Sequence, residues 1–91
     1  MTEEPYRLIL APGARRALTD LLPEAVAIAA WEFISGPLAS APRRVGAPLK
    51  APFEGHWIAR RGEYRVRYEI HKATNTLRIL DIDHRRDAYH S

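Results

Sequence analysis

The run Arg60-Arg61-Gly62-Glu63-Tyr64-Arg65-Val66-Arg67-Tyr68 places guanidinium groups at alternating positions of a segment rich in β-forming residues. A second cluster, His84-Arg85-Arg86-Asp87-Ala88-Tyr89, stands near the C-terminus. Arginine stays charged at any physiological pH, and its planar fork takes two phosphate oxygens at once, so such clusters suit a phosphodiester backbone. Strand alternation sends Tyr64, Val66, Tyr68 and Ile70 to one face and Arg65, Arg67 and Glu69 to the other. The sheet is then apolar beneath and cationic above, with little acid expected on the cationic side. Two clusters distant in sequence could meet on it to form a site.

The elements that hold these residues follow from hydrophobic spacing. Tyr6 to Leu10 reads as a first strand, ended by Ala11-Pro12-Gly13. A helix is predicted from about Ala14, with Ala17, Leu18, Leu21 and Leu22 at helical spacing, and Pro23 fits the first position of a second helix running to Ser35. The second helix carries Val26, Ala29, Ala30 and Phe33 on one stripe, with Trp31 and Ile34 beside it. Ser35-Gly36-Pro37 reads as its stop. Prolines 37, 42, 48 and 52 predict an irregular connection, with room for one helical turn around 37 to 40. Three strands follow: His56 to Arg60, Tyr64 to Ile70 after an Arg61-Gly62 turn, and Leu77 to Asp83 after Thr74-Asn75. The expected fold is α+β: an N-terminal strand, a two-helix hairpin and a three-stranded antiparallel meander, with the helices on one face of a twisted antiparallel sheet.

Ninety-one residues with 46 % hydrophobic content predict a single domain spanning residues 1–91, with one modest core. The chain has no cysteine, so thiolate metal sites and disulfides are excluded and a reducing cytoplasm is the expected compartment. No apolar run approaches the ~20 residues that cross a bilayer, so a soluble protein with no membrane partner is expected. The net charge of +3 is unevenly spread. Residues 1–40 hold three basic and five acidic groups, residues 43–67 seven basic and two acidic, and residues 68–91 four of each. Focused positive charge of this kind attracts nucleic acid or an acidic protein. The four histidines lack ligand spacing, so neither a metal nor a cofactor is expected.

In order of elements and in residues, the chain resembles the RelE/ParE superfamily of toxins from type II toxin-antitoxin systems, and its RelE-like members in particular. The resemblance runs from Tyr6 to Tyr89. It is carried by Arg61 to Tyr68, by Gly46 to Leu49 shortly before Phe53-Glu54-Gly55, by the run from Trp31 to Pro37, and by the terminal cluster from His84 to Tyr89.

The resemblance implies a metal-independent, ribosome-dependent mRNA interferase. In such members the ribose 2′-hydroxyl attacks the adjacent phosphate in the ribosomal A site, leaving a 2′,3′-cyclic phosphate and a free 5′-hydroxyl. That chemistry needs a base, fixed positive charge for the pentacovalent transition state and an acid for the leaving oxygen. Arg65 matches the strand arginine of the family, and Arg85 or Arg86 the second one. Tyr89 matches a terminal aromatic that orients or protonates the leaving group or stacks on a base. Where the best-known members carry two lysines, this chain has His56 and Ile58. Imidazoles titrate near ~6.5, so His56 is a candidate base, with His84 and His90 as alternatives.

Arg43, Arg44, Lys50, Arg60, Arg61 and Arg67 are expected to contact RNA phosphates. Core packing is the favoured role of Tyr64, Tyr68 and Trp57. ParE-like members share the fold and inhibit DNA gyrase without a nuclease site, which is the alternative function. On either reading the implied partners are a cognate acidic antitoxin and, through it, operator DNA; the interferase reading adds the ribosome and mRNA.

Overall fold

A computed structural model describes residues 4–84. Its strands are β1 (Arg7–Leu10), β2 (Ala47–Pro48), β3 (Trp57–Arg61), β4 (Tyr64–His71) and β5 (Thr76–His84), joined in one sheet of order β1-β5-β4-β3-β2. The meander β3-β4-β5 is antiparallel as expected, and β2 extends it by two residues. β1, however, pairs parallel to β5, so the sheet is mixed and not wholly antiparallel. The helices carry the chain from β1 at one edge across to β2 at the other, and the meander then returns so that β5 lies beside β1 and runs in the same direction.

α1 (Pro12–Arg16) widens into a π-helical turn over Ala17–Leu21, and α2 (Glu24–Phe33) into another over Ile34–Leu38. Pro23 takes the N-cap of α2 with extended ψ, one position earlier than expected. Ser35-Gly36-Pro37 does not stop the helix; it lies inside the second π-turn, and helical residues continue to Ser40. In an ordinary α-helix a proline ring meets the carbonyl four residues back. The wider turn, whose bonds reach five residues back, relieves that contact. α3 (Pro42–Val45) adds a single helical turn within the proline-rich connection.

Ala30, Phe33, Ile34 and Leu38 are buried from the helical side and meet Val66, Tyr68, Leu77, Ile79 and Ile82 of the sheet. Ala29 and Trp31 are exposed, so the buried stripe of α2 is rotated from the predicted one toward Ile34. Ala14, Ala17 and Ala30 are buried without bulk, which lets the helix backbones approach the sheet closely. Each fully buried Ile or Leu contributes roughly 1.5–3 kcal/mol.

Two local features fix the register. Gly62 takes φ +59 at the first position of a two-residue turn between Arg61 and Tyr64, a conformation that costs glycine nothing. In β5, Tyr68 pairs with Ile79 and Arg67 with Asp81, leaving Leu80 as an extra bulged residue. The bulge switches the strand's alternation, so Leu77 and Ile79 point inward before it and Ile82 and His84 after it. Without it Asp81 and Asp83 would point into the core.

Candidate functional site

The open face of the sheet, opposite the helices, is built as rows of cross-strand neighbours. Tyr64, Val66 and Tyr68 are buried on the helical side, as the alternation predicts, and Arg65 and Arg67 lie partly exposed on the open side. Arg65 stands between Arg60 of β3 and Asp83 of β5. The next row is Ile58, Arg67 and Asp81. Beyond it Glu69 lies opposite Arg78 and within 3.5 Å of His56.

This face carries more acid than expected. The Arg67 guanidinium donates to the Asp81 carboxylate, while its Nε is buried without a hydrogen-bond partner among the described residues. Glu69 gathers His71 Nε2 at 3.1 Å and Arg78 Nη1 at 3.4 Å as well as His56. Burial of Glu69 alone would raise its pKa, but hydrogen bonds from His71 and Arg78 and the charges of both outweigh it, and the carboxyl is held below its ordinary range. Asp83 is opposite Arg65 in register, yet among the described residues no ion pair joins Arg65 to any carboxylate. Two like charges directly opposite on adjacent strands, here Arg60 and Arg65, destabilise a sheet. An anion laid across them converts that repulsion into binding.

The other expected residues divide by face. His56 is on the open side but beside Glu69, four strand positions from Arg60, or about 13 Å along the sheet. Its Nε2 faces Glu69 and its Nδ1 is buried without a partner among the described residues. In this arrangement His56 neighbours Arg67 rather than Arg65. His84 lies on the helical side, 4 % exposed, with Nε2 3.6 Å from Glu63. It is therefore separated from Arg65 by the sheet itself, and the expected clustering of the two is corrected. Arg61 also turns to the helical side and lies over the Phe33 ring at 5.0 Å, a cation–π contact. Arg43 and Arg44 belong to α3 and line a shallow groove with Tyr6 and Ser40, away from the Arg65 row. Lys50 is exposed in the loop before β3. Arg85, Arg86, Tyr89 and His90 lie outside the described residues; the last described residue, His84, pairs with Tyr64, one position from Arg65.

The aromatic residues beneath are structural. Tyr64 Oη donates to the Ala29 carbonyl at 3.2 Å, and its ring meets Phe33 edge-on. Burial raises its pKa, opposed by the Arg61 charge and aided by that of Glu32. Tyr68 Oη donates to the Pro42 carbonyl at 2.6 Å, and burial pushes its phenol up to about 12. Trp57 stacks on Tyr68, which bears out its packing role. Sequence reasoning placed Glu69 on the open face but missed Asp81 and Asp83 there. Their alternation with Ile82 and Arg78 was visible, but the bulge that turns both aspartates outward was not.

Residues 8–89 match the family described as the ParE toxin of type II toxin-antitoxin system, parDE. The chain is 40 % identical over 87 residues to Toxin RelE of Mycobacterium tuberculosis, an alignment covering 96 % of this chain and 89 % of that protein. It is 44 % identical over 85 residues to Toxin RelG of the same organism, covering 93 % and 97 %. Among solved structures, the toxin-antitoxin complex RelBE2 of Mycobacterium tuberculosis contains a chain similar in fold with a TM-score of 0.86 and 41 % identity. That match covers 90 % of this chain and all of the other. Among the described residues no helix is long and apolar enough to cross a membrane.

Proposed function

The chain belongs to the ParE toxin family of type II toxin-antitoxin systems, with RelE-named relatives along nearly its whole length, and we propose that this toxin is a metal-independent endoribonuclease that cleaves mRNA in the ribosomal A site. The observation that carries the reading is the Arg60–Arg65 row on the open face, continued by Arg67. Single-stranded RNA laid along β4 meets two guanidinium groups, Arg65 and Arg67, two residues and about 6.6 Å apart, close to the spacing of successive phosphates on an extended strand.

In this reading Arg65, with Arg60 opposite, holds the scissile phosphate and neutralises the charge that grows on its non-bridging oxygens as the 2′-hydroxyl attacks. The bond formed is O2′–P and the bond broken is P–O5′, so the products are a 2′,3′-cyclic phosphate and a 5′-hydroxyl. Arg85 or Arg86 and Tyr89 complete the site from the C-terminal segment, Tyr89 at the leaving oxygen. His56 stands about 13 Å along the sheet from Arg60 with its accessible nitrogen on Glu69, too far to take the 2′-hydroxyl proton at this phosphate, and that proton passes to water. Arg43, Arg44 and Lys50 add diffuse attraction to ribosomal RNA. The 91 residues act as a single toxin domain in the cytoplasm. The partner is a cognate acidic antitoxin that covers the helices and the cationic face, and brings the pair to operator DNA.

Translation in vitro with primer-extension mapping tests this. Wild-type protein gives codon-register cuts ending in cyclic phosphate, and Arg65→Ala lowers the cleavage rate by about 100- to 1,000-fold, the usual effect of removing one transition-state donor. The ParE name of the matching family keeps gyrase inhibition as the competing reading. Loss of DNA supercoiling that persists in Arg65→Ala protein, without mRNA cleavage, overturns the nuclease.

A further inference from the structure

Phe53 has no evident structural task. It is 48 % exposed and stands apart from the buried core cluster, in the loop that leads into β3. Yet its ring is held in place. The His56 imidazole stacks on it with centroids 6.4 Å apart and planes 28° from parallel, and the Arg67 guanidinium carbon lies 6.0 Å from its centroid. Backbone hydrogen bonds from Phe53 N–H to the Lys50 carbonyl at 3.0 Å, and from His56 N–H to the Phe53 carbonyl at 3.1 Å, fold the loop tightly. The result is an oriented, half-exposed aromatic beside a strand arginine on the open face.

A single exposed apolar side chain is ordinary on a protein surface, and what sets Phe53 apart is its ring held between an imidazole and a guanidinium. Beside cations spaced along a strand, its natural ligand is the flat face of an unpaired nucleobase, because stacking and phosphate contacts then act on the same nucleotide chain. A duplex does not offer that face, since its bases are already stacked on each other. Arg67, against the ring and shared with Asp81, and the exposed Lys50 of the same tight loop supply positive charge for the flanking phosphates. An acidic protein segment satisfies the arginine but gives the ring no comparable partner.

We propose that Phe53, backed by His56, is a nucleobase-stacking subsite that seats one unpaired base of bound RNA two rows from the Arg60–Arg65 phosphate site. The inference rests on the RNA-cleaving reading above and names a specificity element within it. Stacking on one ring is tolerant of base identity, so the subsite selects single-stranded RNA over duplex and does not set a codon preference.

The test is equilibrium binding of a short fluorescein-labelled single-stranded RNA at low ionic strength, repeated with mRNA-programmed ribosomes, for wild type, Phe53→Ala, Phe53→Leu, Phe53→Trp and Arg67→Ala. Phe53→Ala and Phe53→Leu should lose about 5- to 160-fold in affinity, the worth of one stacked base, with an unchanged salt slope. Phe53→Trp should keep it, and base contact should quench the new indole. Arg67→Ala instead should lower the salt slope by about one. An abasic nucleotide at one position of the RNA should reproduce the Phe53→Ala loss and abolish any further loss from that substitution. Unchanged RNA affinity in Phe53→Ala alongside weakened Arg67→Ala overturns the subsite and leaves the nuclease reading standing, whether or not Phe53→Ala also weakens a protein partner. No salt-sensitive RNA binding by wild type in either format overturns both.

Discussion

Replacing Gly46 by alanine should be felt at Tyr68, on the far side of the connection between α3 and β2. A Cβ at position 46 would overlap Tyr68 Oη, and would stand 3.0 Å from Tyr68 Cζ and 2.8 Å from the Ile58 carbonyl oxygen. Neither neighbour is free to move. Tyr68 is fully buried, stacked on Trp57 and hydrogen-bonded to Pro42, while Ile58 belongs to the β3–β4 ladder. Overpacking and loss of one buried hydrogen bond together give a cost of about 2–4 kcal/mol. Tyr68→Phe should cost only about 1 kcal/mol, because the Pro42 carbonyl keeps its bond from Gly46 N–H at 3.3 Å. In the double variant the overlapping oxygen is gone and the strain against Ile58 remains. The two costs should therefore fall short of additivity by at least about 1 kcal/mol. Urea unfolding followed by tryptophan fluorescence measures all four proteins, each produced with a cognate antitoxin and separated from it before unfolding. Should Gly46→Ala fail to fold, recovery of folding by Tyr68→Phe reports the same coupling. Costs that add within about 0.5 kcal/mol, or a Gly46→Ala variant as stable as its parent, refute the packing argument.

Asp81→Asn should remove the carboxylate that competes with phosphate for Arg67, so RNA affinity should rise, and the rise should vanish in an Arg67→Ala background, read by fluorescence titration at several salt concentrations. Because that pair is more than a third exposed, the stability change should be small. Glu69 has its carboxyl pKa lowered in the folded state from an ordinary 4.5, so its stabilisation is complete above that pH and fades as pH falls through the lowered value. Acid unfolding of Glu69→Gln should accordingly show a shallower loss below pH 4.5 than wild type. Arg60→Ala and Arg61→Ala, adjacent in sequence, should separate: the first weakens RNA binding and cleavage, whereas the second leaves both near wild type and lowers thermal stability, since its guanidinium covers Phe33.

How far the chain could be read differs from element to element. Tyr64 to Ile70 spelled out its own two faces, because alternation along a strand is a local property and one burial assignment settles every other residue. The burial of Tyr68 and the outward position of Arg65 and Arg67 needed nothing else. The end of α2 was misread at Ser35-Gly36-Pro37, because a π-turn hosts a proline that ordinary helix geometry rejects, and only packing of Ile34 and Leu38 against the sheet holds that turn together. Arg61 was placed with the RNA-binding arginines, but the two-residue turn gives it the parity of Tyr64 and sends it to Phe33.

Local pattern thus determined the β-hairpin run, the helical pair and the arginine-bearing face, since each depends on spacing within a few residues. Which groups from different strands stand side by side was decided by tertiary structure alone. The bulge at Leu80 turns Asp81 and Asp83 outward and His84 inward, and pairing then sets Asp81 on Arg67, Arg60 against Arg65, and Glu69 against His56. An inserted residue reverses every side chain beyond it, and nothing in the residues before it announces the reversal.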